Sequence, residues 1–300
     1  MNFSQFQAFV ALAEMGSFTE VANAINLTQS AVSHALTALE SELGVTLLER
    51  NRKGVVALTN VGQVIIPHVR ALLAQVEAIE QEAKAAQGRT MGKLRLGNTF
   101  CLSPGLLASV MTCFQQQYPD VELVLFEGTM NEVEEWIASS IIDVGFVPLP
   151  ATGIDSTLIT TDELQVVLAA GHHLHAQRAI TLDDLNQENF IMPKNECSFR
   201  LMGMTGMEPS RIKASMRYQA SDSATILAMV REGLGITLLP RMMLPAKLDG
   251  IVALPLDPPQ HIEIGLGIKA RAMASPVAKL FVQTTLAWAH RQAGLLVPVA

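Results

Sequence analysis

Gln29, Ser30, Ser33, His34 and Thr37 fall on one stripe of a helix that Thr28 would begin. All five side chains donate or accept hydrogen bonds, which suits them to base edges and phosphates in a nucleic-acid groove. Shortly after come Arg50, Arg52 and Lys53, the only cations of the first sixty residues, crowded within four positions. Cations placed so would meet phosphates beside the groove. Bulk charge does not support this chemistry. The 300-residue chain carries 21 basic against 28 acidic side chains, a net charge of −7. Its first sixty residues oppose those three cations with Glu14, Glu20, Glu40, Glu42 and Glu49. A nucleic-acid reading must therefore rest on where the cations sit.

The elements that would position this stripe are legible as punctuation. Phe3, Phe6, Phe9, Val10 and Ala13 recur at helical spacings, and Gly16 stands where a helix end favours a left-handed residue. Ser17-Phe-Thr-Glu20 reads as a capping box opening a short helix to Ile25. Thr28 then caps a third helix through about Glu40. Ala22 is small enough for a close helix crossing, and Asn26 tolerates positive φ in a tight turn. Val21, Ile25, Leu27 and Val32 stand where they would pin the two helices together. A helix-turn-helix and an ordinary helical hairpin with a solvated polar face both fit this spacing. The stretch from Val45 to Thr59 reads as two short strands joined by the basic turn, a wing in the first case and a solvated hairpin tip in the second.

The run SFTEVANAINLTQSAVSHALTALESELGVTLLERNRKGVVALTNVG (17–62) resembles the signature of the LysR-type transcriptional regulators, across the whole first domain and in order. The resemblance implies a winged helix-turn-helix in which Gln29, Ser33 and His34 contact DNA from the recognition helix, with Arg50, Arg52 and Lys53 in the wing. Thr28, Ser30 and Thr37 complete the expected DNA-facing set. Mild departures are Ser30 where the family often has proline, His34 where arginine is common, and Leu48 where phenylalanine is usual.

Thr59-Asn-Val-Gly62 leads into a helical stretch ending near Gly88. Within it Ile65, Val69, Leu72, Val76, Ile79, Ala83 and Ala86 alternate spacings of four and three, a heptad seam. Pro67 would kink or restart its first turn. A seam on an isolated linker suits pairing with a second copy, with dimerisation through Ile65, Val69, Leu72, Val76, Ile79 and Ala83. Packing on its own chain is the alternative. The resemblance implies the paired arrangement, a homodimer commonly doubled to a homotetramer.

From Lys93 strands and helices alternate: strands at 93–97, 121–127 and 143–147, with helices at 104–118 and 130–139 between them. Such order predicts a parallel sheet with helices on both faces. Further strands are expected at 165–169, 190–192, 235–239 and 261–269, with helices at 223–232 and 276–291. Crossing segments near 162 and 266 suggest two lobes with a cleft between them. The resemblance implies a fold similar to periplasmic binding proteins, with a small-molecule effector in that cleft. Ligands of open α/β sheets bind beyond the carboxyl ends of strands. That rule selects Asn98, Thr99, Phe100, Cys101 and Ser103, then Thr129 and Asn131, then Val147 and Pro148. In the other lobe it selects Pro193, Lys194, Cys197, Ser198 and Phe199. Each could equally be a cap or turn residue. Lys194 and Arg200, with several helix starts, point to an anionic effector such as a small carboxylate.

Other signals are weaker. His172-His-Leu-His175 has metal-ligand chemistry, but no acidic or cysteine partner is close in the sequence and the family often has a His-Pro-Leu turn there. No metal and no cofactor are expected. Cys101, Cys113 and Cys197 share no metal spacing and cannot all pair, which fits a reducing compartment. Peroxide-sensing members of the family place reactive cysteines near Cys197, so oxidation of Cys197 or of neighbouring methionines is an alternative switch. No thiol in the thirty residues after Cys197 could resolve a disulfide. No phosphate loop, nucleophile elbow or dinucleotide fingerprint is present, so no enzyme is expected. No apolar run reaches the ~18 residues of a membrane span, and the N-terminus lacks the basic start of an export signal. Those features, with the helix-turn-helix, oppose a solute-binding protein. The expected architecture is a multidomain α+β chain: a winged helix-turn-helix over 1–60, a linker and dimerisation helix over 61–90, and a two-lobed α/β effector domain over 91–300. Within that domain lobe I spans about 91–162 and 267–300, and lobe II about 163–266. Such a protein would be a cytoplasmic regulator with three partners: a pseudo-palindromic DNA operator, an effector and its own copies.

Overall fold

A computed structural model of the chain describes residues 1–50, 56–99, 102–186, 188–193 and 215–293. Arg52, Lys53, Phe100, Cys101, Lys194, Cys197, Ser198, Phe199 and Arg200 lie outside the described residues, as does the side chain of Arg50. The chain divides into two compact units, Met1–Gly92 with Ala138–Ile141, and Lys93–Ile137 with Ile142–Ala300. Among the described residues no helix is long and apolar enough to cross a membrane.

The first unit is built on capped helices. Helix α1 (Phe3–Met15) opens on a reciprocal capping box: Asn2 Oδ1 accepts the Gln5 amide at 3.0 Å while Gln5 Oε1 accepts the Asn2 amide at 2.6 Å. Gly16, at φ 66°, closes it. Helix α2 (Phe18–Ala24) starts at Ser17, whose hydroxyl accepts the Glu20 amide at 3.4 Å. The full reciprocal box thus forms one helix earlier than the sequence suggested. Asn26 takes φ 54° in the turn, where its side chain tolerates the left-handed region. Helix α3 (Gln29–Leu43) is capped by Thr28 Oγ1 on the Ala31 amide at 3.2 Å and ends on Gly44 at φ 70°. Phe9, Leu12, Val21, Val32, Leu39 and Leu47 are fully buried between these helices. Leu27, expected to pin α2 to α3, is instead 45% exposed. It sits in the turn between the two helices, and Ile25 packs against the core.

Strands β1 (Leu48–Arg50) and β2 (Val56–Leu58) pair antiparallel, Leu48 opposite Leu58 and Arg50 opposite Val56. Helix α4 (Asn60–Ala86) then runs for 27 residues, through Pro67 without a break. Its start is clamped onto the chain before the wing. Thr59 Oγ1 donates to Thr46 O at 2.8 Å and accepts the Gly62 amide at 3.0 Å, while the Thr59 amide donates to Leu47 O at 3.0 Å. A Cβ at Gly62 would lie 2.1 Å from that same Leu47 oxygen. The heptad seam divides along this helix. Ile66 and Val69 are buried in the unit's own core and Ile65 packs against it. Leu72 and Ile79 stand exposed.

The second unit holds an eight-stranded sheet. Its strands are β3 (Gly92–Thr99), β4 (Val121–Gly128), β5 (Val144–Pro148), β6 (Asp155–Ala169), β7 (Ile180–Thr181), β10 (Thr237–Pro240), β11 (Ile251–Asp257) and β12 (His261–Ile268). The order is β4-β3-β5-β12-β6-β11-β7, with β10 also on β6. The expectation of a parallel sheet holds for β3 with β5 and for β7 with β11. β12 runs antiparallel to both β5 and β6, and β10 and β11 run antiparallel to β6. The crossing segments are therefore strands of the sheet, and a crossing that returns beside its partner must pair antiparallel. A separate parallel pair, β8 (Asn189–Pro193) with β9 (Ser215–Ala220), was legible in the sequence only for β8. Among the described residues the unit's α-helices are α5 (Pro104–Gln117), α6 (Met130–Ala138), α7 (Ser223–Arg231) and α8 (Pro276–Ala293). Phe114, Phe146 and Phe281 lock α5, β5 and α8 through edge-to-face ring contacts at 5.1 and 6.4 Å.

Gly62→Ala should destabilise the first unit by about 1–3 kcal/mol, because its methyl group has only a backbone carbonyl to displace; urea unfolding would read this. Thr28→Ala removes the α3 cap and should cost about 1 kcal/mol in the same measurement.

Candidate nucleic-acid interface and ligand cleft

Burial splits α3 cleanly. Val32, Leu36 and Leu39 face the core, while Thr28, Gln29, Ser30, His34 and Thr37 are exposed and Ser33 is half-buried. Thr28 Oγ1 and Ser30 Oγ lie 3.0 Å apart, so these two hydroxyls form one local pair at the start of the helix. The first helical turn thus shows a continuous polar edge on a rigid, capped scaffold. The wing's ladder starts at Arg50 opposite Val56. The two cations beyond it, Arg52 and Lys53, lie outside the described residues.

In the second unit a cleft of about 510 Å³ is lined by Asn98 and Thr99 at the end of β3, Leu102 and Pro104 at the start of α5, and Glu127, Gly128, Thr129 and Glu132 around the start of α6. Pro193, Ser221, Asp222, Ser223 and Met243 line its other side. Of the sequence candidates, Asn98, Thr99, Thr129 and Pro193 are brought together here. Ser103, Asn131, Val147 and Pro148 do not line this cleft. Val147 and Pro148 are buried because β12 pairs along β5 there, Gly265 opposite Val147 and Ile264 opposite Pro148. The sequence missed the Ser221-Asp222-Ser223 edge because β9, which delivers it, was not recognised. Its signal was an N-cap: Asp222 Oδ1 accepts the Thr225 amide at 2.8 Å.

Carboxylates already occupy two of the helix starts at this cleft. Glu132 Oε2 accepts the Thr129 amide at 2.7 Å, and Asp222 caps α7. These backbone and side-chain hydrogen bonds hold Glu132 and Asp222 below their usual carboxylate range. By contrast α5 starts at Ser103 with no side-chain cap and Pro104 in its first turn. Asn98 is only 9% exposed, and its Oδ1 is buried with no hydrogen-bond partner among the described residues. A buried amide oxygen left so is costly unless a donor arrives. Met243 is set by a longer tether: Asp162 Oδ2, on β6, accepts the Met242 amide at 2.7 Å. Burial pushes the Asp162 carboxyl up, opposed by that amide and by Arg241.

The histidine turn departs from its expected isolation. Glu188, distant in sequence, sits 3.4 Å from His172 Nε2 and 3.1 Å from His173 Nε2. An acidic partner is therefore present, delivered by the chain entering β8. Burial holds His172 below its ordinary value against the pull of Glu188. Among the cysteines, Cys113 is a free, half-buried thiol, and Cys101 and Cys197 fall outside the described residues.

Comparison with known proteins assigns both units. Residues 3–63 match the family described as "Bacterial regulatory helix-turn-helix protein, lysR family", and residues 87–289 match "LysR substrate binding domain". A Bacillus subtilis protein described as an uncharacterized HTH-type transcriptional regulator, YvbU, is 35% identical, covering 94% of this chain and 97% of its own. Full-length OxyR from Pseudomonas aeruginosa, solved as a cysteine variant, shares the fold at a TM-score of 0.79 and 21% identity, covering 95% of this chain and 94% of its own. CbnR, solved in complex with its target DNA, shares it at 0.61 and 20% identity, over 95% and 99% of the two chains. With a helix-turn-helix in one unit and a lined cleft in the other, the chain belongs to the LysR family of transcriptional regulators, carrying a helix-turn-helix and an effector-binding domain.

Proposed function

We propose that this regulator reads a pseudo-palindromic operator as a homodimer or homotetramer in the cytoplasm, with residues 1–60 as the reading head, 61–90 as the pairing helix and 91–300 as the sensor. The observation that carries the reading is the polar outer edge of α3, exposed at Gln29, Ser30, His34 and Thr37 above a fully apolar inner face. Gln29, Ser33 and His34 enter the major groove; Thr28, Ser30 and Thr37 serve phosphates or base edges beside them; Arg50, Arg52 and Lys53 lie along the backbone. Pairing uses the exposed apolar side chains of α4, namely Val61, Val64, Leu72 and Ile79, at 43, 68, 42 and 68% exposure. Leu72 and Ile79 belong to the expected heptad seam. Val69 does not join them, because its own head already encloses it.

The effector occupies the cleft at Asn98, Thr99, Thr129 and Pro193 and supplies the donor that Asn98 Oδ1 lacks among the described residues. A carboxylate on it would find α6 and α7 already capped by acids, which leaves the uncapped start of α5 as the described position favourable to an anion. Effector binding changes DNA affinity only by as much as it favours one state of the protein over the other.

Fluorescence anisotropy on the DNA upstream of the gene, against scrambled DNA over a salt series, tests the head. Preference for upstream DNA by at least about 10³-fold is expected. Ser33→Ala and His34→Ala should each weaken specific binding by roughly 5–100-fold while leaving scrambled DNA unaffected. Unchanged operator affinity in both variants would show that α3 does not occupy the groove. For the sensor, Asn98→Ala should remove the effector's influence on operator affinity while salt-dependent binding persists; an intact response would place the effector elsewhere.

A further inference from the structure

We propose that His172, His173 and Glu188 form a binding site for a divalent transition metal, with zinc as the best-matched ion. His172 and His173 are neighbours in a turn beyond β6, and their rings lie 4.4 Å apart at 32°. The rings are tilted against each other, and the Glu188 carboxylate is within reach of both Nε2 atoms, at 3.4 and 3.1 Å. One ligand atom from each of the three residues lies within 4.8 Å of the others. Ordinary zinc–nitrogen and zinc–oxygen bonds of about 2.0–2.2 Å span such a triangle with small side-chain adjustments. Two imidazoles and one carboxylate make a borderline donor set, suited to zinc, nickel or cobalt and poorly suited to magnesium or calcium. Three protein ligands leave a fourth tetrahedral position for water or an exogenous group. His173 is 69% exposed, so an ion reaches the site from solvent, while His172 and Glu188 are held at 17 and 15% exposure.

The cost of loading is visible as well. The Leu174 amide donates to His172 Nδ1 at 3.3 Å, which puts the neutral ring's proton on Nε2, aimed at Glu188. Coordination at Nε2 shifts that proton to Nδ1, so this long hydrogen bond must open. The turn must also give locally, because the His172 carbonyl lies 2.6 Å from His175 Nδ1. Loading the site therefore works against this hydrogen bonding, and binding in the micromolar range is the expected outcome. Glu188 directly precedes β8, whose last residue, Pro193, lines the cleft. A bound ion would fix the entry to that strand.

The test is calorimetric titration of the metal-stripped, untagged full-length chain with zinc chloride near neutral pH, with magnesium chloride as control. One zinc per chain at micromolar Kd is expected, and no saturable heat from magnesium. His173→Ala and Glu188→Gln should each weaken zinc binding at least about tenfold. His173→Ala alters an exposed side chain, so it decides the matter even if Glu188→Gln disturbs the turn; unchanged melting confirms its fold. Absence of saturable zinc binding, or zinc affinity unchanged in His173→Ala, would overturn the site and leave a histidine–carboxylate hydrogen-bonded turn.

Discussion

The sensor unit depends on one strand. β6 pairs along its first half with β12, from Asp155 opposite Ile268 to Glu163 opposite His261, and along its second half with β10 and β11. Every strand of the sheet is thus joined, directly or through a succession of neighbours, to one continuous backbone of 15 residues. Backbone amides in a buried sheet must be paired. Sliding β6 by one residue would turn its inward set, Leu164, Val166 and Leu168, to the opposite face. That set packs in one cluster with Leu94, Phe146, Leu266 and Phe281, so the register of the crossing strand and the identity of the core are the same constraint. Asp162 sits at the middle of this strand and holds Met242, which brings Met243 to the cleft wall. The cleft therefore inherits its geometry from the crossing strand as well as from the ends of β3 and β4.

Helix caps decide what the exposed sites can offer. In the head, Asn2, Ser17, Thr28 and Thr59 each satisfy an otherwise orphaned amide at a helix start, and in doing so they fix the entry angle of all four helices. In the sensor, the same device has an electrostatic consequence. Glu132 and Asp222 spend their charge on helix starts at the cleft, so the favourable field that a bare helix would present to an anion is already answered. Among the described residues, the Asn98 oxygen without a partner and the uncapped start of α5 are the groups at the cleft left unanswered.

Helix α4 carries two duties in succession. Its first turns close the head: Gly62 lies against the Leu47 carbonyl, and Ile66 and Val69 complete the apolar core. Leu73 still packs on that core, but Leu72 beside it and Ile79 two turns on are uncovered. A periodic apolar stripe records only that something must cover it; here the near end is covered by the helix's own unit. This is why a heptad reading of the sequence ran Ile65 and Val69 into the same seam as Ile79.

By itself the sequence determined the local features whose cause is local. Gly16 ends a helix and Asn26 makes the turn because few residues accept positive φ. Thr28 caps α3 because a hydroxyl at that position finds an amide three residues on. The polar edge of α3 follows from helical period alone. The strand ends carrying Asn98, Thr99 and Thr129 were legible for the same reason, since β3, β4 and their helices alternate in simple order. Tertiary structure alone decided what depends on partners far along the chain. It made the sheet mixed, because β12 returns beside β6 from almost a hundred residues away. It buried Val147 and Pro148 under that return and brought Asp222 to the cleft on a strand with little sequence signal. It also placed Glu188 between two histidines. Local chemistry fixes what a residue can do; only the long-range pairing of strands fixes what stands beside it.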